Sequence, residues 1–292
     1  MKIFDGLKRA EEREKLLAAH LVELQLPKLL VVRAILFFED AGSVLYTGLK
    51  REAADRLGMI YETREFSLND ATELIIAAIK KANDDEAVTG IIVQKPSRAV
   101  WQRVTGESSY KAYRDWWLAL TTQIALNKDV DGLHPGQKLI LPATCKAVLY
   151  ILAEALGGDP KKIALENHKI IIIGKSDLLG NPLYRELQKQ GASVELLGKK
   201  ELAARVSSGE KLLDATVIVS ATGERGLITG EMISDGVVLI DVGEPYGDVD
   251  RLTVGEKPSF LTPVPGGVGP MTVISLMENV VDMLQYPPSN NL

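Results

Sequence analysis

Short apolar runs recur through this chain, each bounded by turn residues and each separated from the next by a stretch with helical periodicity. Leu29–Phe38 is apolar on both faces instead of alternating, Lys169–Ile173 carries four isoleucines in a row, and Val88–Gln94 is a third run of this kind. Such runs read as strands of a parallel sheet covered by helices on either side. A β-α-β-α-β rhythm of this kind predicts an open α/β sheet, because parallel neighbours need a crossover connection and the helix supplies it.

The elements follow in order. Residues 6–25 form a charged amphipathic helix whose apolar stripe is Leu7, Leu16, Leu17, Leu21 and Leu24, ended by Pro27. Leu29–Phe38 is the first long strand. Ser43 caps a helix over 43–57 that Gly58 stops. A strand near 60–66 follows, then a helix capped by Asn69 and running to Asn83, then the strand Val88–Gln94. Residues 97–127 gather Trp101, Tyr110, Tyr113, Trp116 and Trp117 in a chain with only 5% aromatics, and read as a locally packed helical segment. A helix over 143–156 leads through Gly157–Pro160 into a second domain of Rossmann type, with strands at 169–173, 192–197, 214–220 and 236–241. A final helix near 272–285 packs back on the first domain, and the tail Pro287–Leu292 frays. The expected division is a domain of 1–142 plus 272–292 and a domain of 143–271.

Composition narrows the function. A chain of 292 residues with 46% hydrophobic and 25% charged residues is long enough for two ordinary globular cores. A net charge of -5 gives no broad attraction to nucleic acid or an anionic membrane. No apolar run reaches the roughly 20 residues of a membrane span. The first twenty residues lack a signal-peptide core, so a cytoplasmic protein is expected. The single cysteine, Cys145, excludes an intrachain disulfide and a cysteine-based zinc site, and no metal is expected.

Three patterns carry possible chemistry. Thr262-Pro-Val-Pro-Gly-Gly-Val-Gly-Pro-Met-Thr272 packs three prolines and three glycines into eleven residues. Proline stiffens such a loop, and glycine lets backbone approach a ligand. Pro270 stands just ahead of an apolar helical run that Thr272 helps to cap. The segment is either a ligand platform or an interdomain turn. Gly174-Lys-Ser-Asp-Leu-Leu-Gly180 follows a strand and opens a helix, but Ser176 replaces the second glycine of a dinucleotide fingerprint and the last glycine is one position late. Tyr46 and Lys50, four apart, share one helix face.

Thr262–Thr272 resembles the TPVPGGVGPMT signature of the methylenetetrahydrofolate dehydrogenase/cyclohydrolase family at all eleven positions. Ser43–Lys50 resembles the family's SxxYxxxK, whose lysine is catalytic; Val93-Gln-Lys-Pro96 looks like VQLP; Lys128–Pro135 resembles KDVDGxHP. Gly174–Pro182 is similar to GRSxxVGxP, and Ala221-Thr-Gly223 and Asp241-Val-Gly243 match the ATG and DxG positions. The resemblance implies two α/β domains, a catalytic one and a Rossmann-type NAD(P)-binding one, with a folate cleft between them. It implies NADP-dependent oxidation of 5,10-methylenetetrahydrofolate and hydrolysis of the product to 10-formyltetrahydrofolate, as in one-carbon metabolism feeding purine biosynthesis, by a homodimer acting on tetrahydrofolate derivatives. Hydride transfer asks mainly for alignment of cofactor and folate, whereas hydrolysis asks for a proton donor and acceptor.

The implied roles fall residue by residue. Lys50 moves the proton, Gln94 orients it, Tyr46 lines the pterin and Asp131 bonds the pterin's donors. Val93 and Lys95 flank the folate, and Pro265, Gly266, Gly267, Val268 and Gly269 floor the cleft. Gly174, Lys175, Ser176, Gly180, Lys199, Thr222, Gly223, Gly243, Glu244 and Thr272 take the cofactor. His134 is read as structural. NADP is expected over NAD because the second strand ends Leu197-Gly-Lys-Lys200 without an acid at its tip, leaving Lys175 and Lys199 to meet a 2′-phosphate or simply to be solvated. Departures from the family are Lys95 for leucine, Glu244 for isoleucine, an altered segment at 142–147 and an interval from Gln94 to Asp131 that is longer than usual. A monofunctional enzyme, or a non-catalytic folate- or nucleotide-binding protein of the same fold, remains open at this stage.

Overall fold

A computed structural model describes residues 1–286, and the chain forms two compact units. One comprises 13–143 and the chain from 276 onward; the other comprises 1–12 and 144–275. The tail Pro287–Leu292, expected to fray, lies outside the described residues.

The first unit is built on a three-stranded parallel sheet in the order Ile60–Phe66, Val31–Phe37, Val88–Val93. Val31–Phe37 is central, and all seven of its residues are buried, as its two-faced apolar pattern predicts. Helices Ala41–Arg56 and Thr72–Asp84 are the crossovers. The helix expected to start at Ser43 is instead capped by Asp40, whose carboxylate accepts the Ser43 N–H at 2.8 Å. Asn69 does not cap the next helix, which begins at Thr72 after Ala71 with no side-chain cap. The aromatic segment is helical and packed. It forms Arg98–Thr105 and Tyr110–Thr121, capped by Ser97 and Ser109 and separated by Gly106 at φ 72°. Trp101, Tyr113 and Trp117 enter one core with Ile35, Phe37, Ile75 and Ile91. Burying one such ring contributes about 4–6 kcal/mol of gross transfer free energy, so this insertion forms part of the unit's core. At the far end of the chain, Asn279 donates to the Val130 and Leu141 carbonyls at 3.0 and 2.9 Å.

The second unit holds six parallel strands in the order Lys2–Ile3, Phe260–Leu261, Val238–Asp241, Val217–Ser220, Lys169–Ile173, Ser193–Leu197. The four strands read from the sequence run from Val238–Asp241 to the edge strand Ser193–Leu197, and the two-residue strands at the other edge were not foreseen. Lys169–Ile173 pairs with Ser193–Leu197 on one side and with Val217–Ser220 on the other, so the chain reverses its direction of travel across the sheet between the first and third of these. That reversal is the switch point where doubly wound sheets leave a crevice at the strands' C-terminal ends.

Two boundaries differ from expectation. Residues 1–12 cluster with 144–275 and not with the first domain, because Lys2–Ile3 adds to the sheet beside Phe260–Leu261. The last helix is Val268–Asp282, starting inside the Pro/Gly loop. Pro270 therefore lies in its first turn, where a missing N–H costs nothing. Thr272 does not cap this helix, and its hydroxyl bonds back to the Val268 carbonyl at 3.2 Å. No described helix is long and apolar enough to cross a membrane.

Candidate active site

Lys50, Gln94 and Asp131 come from a helix, a strand end and a turn, and the first unit brings their side chains together. The Lys50 Nζ donates to Gln94 Oε1 at 2.9 Å and stands 3.8 Å from Asp131 Oδ2. The Lys50 side chain is only 7% exposed, so its two partners satisfy a charge that burial would otherwise make costly. Burial drives the Asp131 carboxyl above its ordinary range, and the neighbouring Lys50 ammonium draws it back. Tyr46 lies one turn before Lys50, half-buried, while Val93 is buried and Gln94 and Lys95 are half-buried just beyond it. Tyr61 sits nearby with a buried hydroxyl that finds no partner; burial and then the Asp131 charge raise its pKa.

The turn that presents Asp131 is tightly specified. Asp129 accepts the Leu133 and His134 amides, both at 2.9 Å. Gly132 has φ 71°, and a Cβ there would lie 2.7 Å from the Pro142 nitrogen. His134 Nδ1 accepts the Gly136 amide at 2.8 Å, in keeping with a structural role.

In the second unit the switch point is closed by two glycines. A Cβ on Gly174 would meet the Ala221 carbonyl at 2.4 Å, and one on Gly180 would meet the Gly174 carbonyl at 1.7 Å. Ser176, in the fingerprint's second glycine position, uses its hydroxyl to accept the Leu179 and Gly180 amides at the start of helix Gly180–Lys189. Thr222 donates through both its amide and its hydroxyl to Asp248 Oδ2, at 2.7 and 2.9 Å, and Gly223 follows at φ 69°. The Pro/Gly loop belongs to this unit. Gly266 has φ 94°, and a Cβ on Gly267 would lie 2.4 Å from the Pro263 carbonyl; Val268 and Gly269 open the last helix.

Comparison with known proteins decides the family. Residues 4–110 match the family described as "tetrahydrofolate dehydrogenase/cyclohydrolase, catalytic domain", and residues 142–287 match its NAD(P)-binding domain. The chain belongs to the tetrahydrofolate dehydrogenase/cyclohydrolase family. Bifunctional protein FolD of Lactobacillus helveticus is 34% identical over 84% of this chain and 83% of its own length. FolD of Staphylococcus aureus is 32% identical over 96% and 95%. Among solved structures, the methylenetetrahydrofolate dehydrogenase-cyclohydrolase of Trypanosoma brucei, complexed with NADP cofactor and inhibitor, superposes with a TM-score of 0.81 at 25% identity over 97% of each chain. A 5,10-methylenetetrahydrofolate dehydrogenase from the silkworm Bombyx mori gives 0.79 at 28% identity, over 97% of this chain and 98% of that one. The enzyme thus acts in one-carbon folate metabolism as a dehydrogenase and cyclohydrolase.

The cofactor-binding unit of this tetrahydrofolate dehydrogenase/cyclohydrolase also holds groups that sequence reading missed. Glu201 is one. It folds back so that its carboxylate accepts the Gly198 amide at 3.1 Å and pairs with Lys175, so an acid does stand at the tip of the second strand. The turn of helix Lys199–Ser207 brings it there, and a glutamate three residues into a helix after a strand is the available signal. Lys199 pairs with Glu224 at 2.6 Å. Asp241 and Asp248 are buried side by side, Asp241 accepting the Gly243, Asp248 and Val249 amides. Glu244 reaches solvent, yet enough protein crowds it that its carboxyl is pushed up to about 7.

Proposed function

We propose that Lys50, Gln94, Asp131 and Tyr46 form the folate site of this enzyme and that it runs two successive reactions on one carbon. In the first, NADP held in the second unit would supply the hydride acceptor, so that 5,10-methylenetetrahydrofolate would be oxidised at its methylene carbon to the methenyl cation with formation of NADPH. In the second, water adds to that carbon, the carbon–nitrogen bond on one side breaks, and 10-formyltetrahydrofolate results. Alignment suffices for the first step. The second needs a proton taken from water and one delivered to the departing nitrogen, and Lys50 is placed to move it. What supports this reading is the 2.9 Å bond from a buried Lys50 Nζ to Gln94 Oε1, with the Asp131 carboxylate 3.8 Å away.

Asp131 is assigned to the pterin's N–H donors. A charge-assisted hydrogen bond stabilises by about 1.5–3 kcal/mol, so Asp131→Ala is expected to weaken folate binding about tenfold or more while leaving cofactor affinity unchanged. Titration of folate at saturating cofactor measures this. Unchanged affinity would place Asp131 outside the pocket.

NADP is the proposed cofactor, with Lys175 and Lys199 receiving its 2′-phosphate. Both are engaged by glutamates, Glu201 and Glu224, so the phosphate displaces a partner and does not meet a bare cation. The resulting preference over NAD is expected to be about ten- to a hundredfold in kcat/KM. Glu201 favours a second reading, since an acid at this strand tip can take the ribose 2′-hydroxyl of NAD. In the double variant Lys175→Ala, Lys199→Ala, the freed Glu201 should shift choice towards NAD. A wild type that prefers NAD, or a double variant that keeps the preference for NADP, assigns this end of the site differently. The homodimer and cytoplasmic location implied by the family resemblance belong to this proposal as well.

A further inference from the structure

Gln94 does not stand alone at its strand end: the segment from Gln94 to Ser97 is held at every residue. The Gln94 amide donates to the Ile35 carbonyl at 2.8 Å. The Lys95 carbonyl accepts from the Ser43 hydroxyl at 3.3 Å. The Pro96 carbonyl accepts from the Tyr113 hydroxyl at 2.7 Å. The Ser97 amide donates to Asp40 Oδ2 at 2.7 Å. The other oxygen of that same carboxylate takes the Ser43 amide at 2.8 Å, at the start of the helix that carries Lys50. Asp40 is 5% exposed. One buried carboxylate therefore ties the beginning of the Lys50 helix to the end of the Gln94 segment.

Tyr113 brings in the aromatic insertion. The Lys95 ammonium lies over the rings of Tyr113 and Trp117, 5.7 and 5.0 Å from their centroids. The lysine that departs from the family's leucine and the inserted aromatics thus face each other. Trp101 and Trp116 pack against Tyr113 in turn, at 5.4 and 6.3 Å between ring centroids. A filler of the core would need only its apolar surface. The hydroxyl at Pro96, on the loop that carries Gln94, is a polar contact that packing alone does not require.

We propose that Tyr113 and Asp40 are positioning residues for hydrolysis, and that the aromatic insertion is a buttress setting the distance between Gln94 and Lys50. This rests on the assignment of Lys50 and Gln94 above. Loss of either anchor lets the Gln94 segment shift, and misplacing a catalytic group by an ångström can cost up to about a hundredfold.

The test uses the full-length enzyme with Tyr113→Phe and Asp40→Asn. Tyr113→Phe keeps the ring, and with it the packing and the contact with Lys95, and removes only the hydroxyl. The cyclohydrolase kcat is expected to fall about tenfold in each variant, while the dehydrogenase kcat and the folate Kd stay within about twofold. A residue that merely stabilises the fold would reduce the active fraction and lower both activities together. That outcome, or no loss of hydrolysis in Tyr113→Phe, overturns the inference. Should Asp40→Asn fail to fold, Tyr113→Phe decides alone. Lys50→Met is the control: hydrolysis surviving in it, or absent from the wild type, overturns the underlying assignment and this inference with it. Hydrolysis lost in Lys50→Met but intact in Tyr113→Phe overturns only the inference.

Discussion

Replacing Lys50 by methionine is expected to lower hydrolysis of the methenyl bridge by about 10²–10⁴-fold, the range that general acid–base catalysis supplies, while dehydrogenation continues. Methionine keeps the length and the apolar contacts of a side chain that is 7% exposed, so the helix should pack as before. What disappears is the group that donates to Gln94 Oε1 at 2.9 Å and that is proposed to carry a proton onward. The substitution should also register at Asp131. Burial raises that carboxyl and Lys50 lowers it, so without Lys50 it rises further. The pterin's donors need the ionised form, and a higher pKa means the ionised form is lost sooner as pH falls. Folate affinity in the variant should therefore be near wild type in mildly alkaline buffer and weaken at a higher pH than in wild type on acidification. Separate assays of NADPH formation and methenyl consumption, with folate titrations across pH, measure all three effects. Retention of more than about a tenth of wild-type hydrolysis would sink the assignment of Lys50.

Asp241→Ala is expected to cost the cofactor-binding unit a large part of its stability. The Asp241 carboxylate is 3% exposed and accepts the amides of Gly243, Asp248 and Val249 at 2.9, 3.0 and 3.0 Å. Alanine leaves three buried N–H groups without an acceptor, each costing about 1–3 kcal/mol. Allowing for relaxation, a loss of about 3 kcal/mol corresponds to a fall in Tm of about 6–12 °C for a unit of this size. Cofactor affinity should fall with it, because the same turn holds Asp248 against Thr222 and Gly243. Thermal unfolding with and without NADP measures both. A fall of under about 2 °C would show that water or a shifted backbone replaces the carboxylate.

The main strands and the pairing of Lys50 with Gln94 were legible because each rests on a local pattern: two-faced apolar runs for the strands, and short quoted motifs for the pair. The groups that escaped are set by chain reversals that spacing does not report. Asp40 precedes Ala-Gly-Ser and looked like loop, yet it outcompetes Ser43 as the cap because its two oxygens serve two segments at once. Glu201 was given no role, because only the turn after Leu197 places it back over the strand tip. The strands Lys2–Ile3 and Phe260–Leu261 are too short for any periodicity to show. The aromatic segment was rightly read as packed helix, but its bond to Pro96 is a tertiary contact with no sequence signature.

The edge strand Lys2–Ile3 has a consequence for how this enzyme can be divided. The Lys2 amide bonds to the Ser259 carbonyl at 2.7 Å and the Phe4 amide to Leu261 at 2.9 Å, and Gly6 packs so tightly on the Pro/Gly loop that a Cβ would lie 1.9 Å from the Gly267 carbonyl. The cofactor-binding unit is therefore stitched from two segments, 1–12 and 144–275, that lie far apart in the sequence. A fragment cut at Thr144 would expose Phe260–Leu261 as an unpaired margin, open to pairing with another chain. During synthesis Lys2–Ile3 stays without its strand partner until residue 261 has followed it, so this sheet edge closes late.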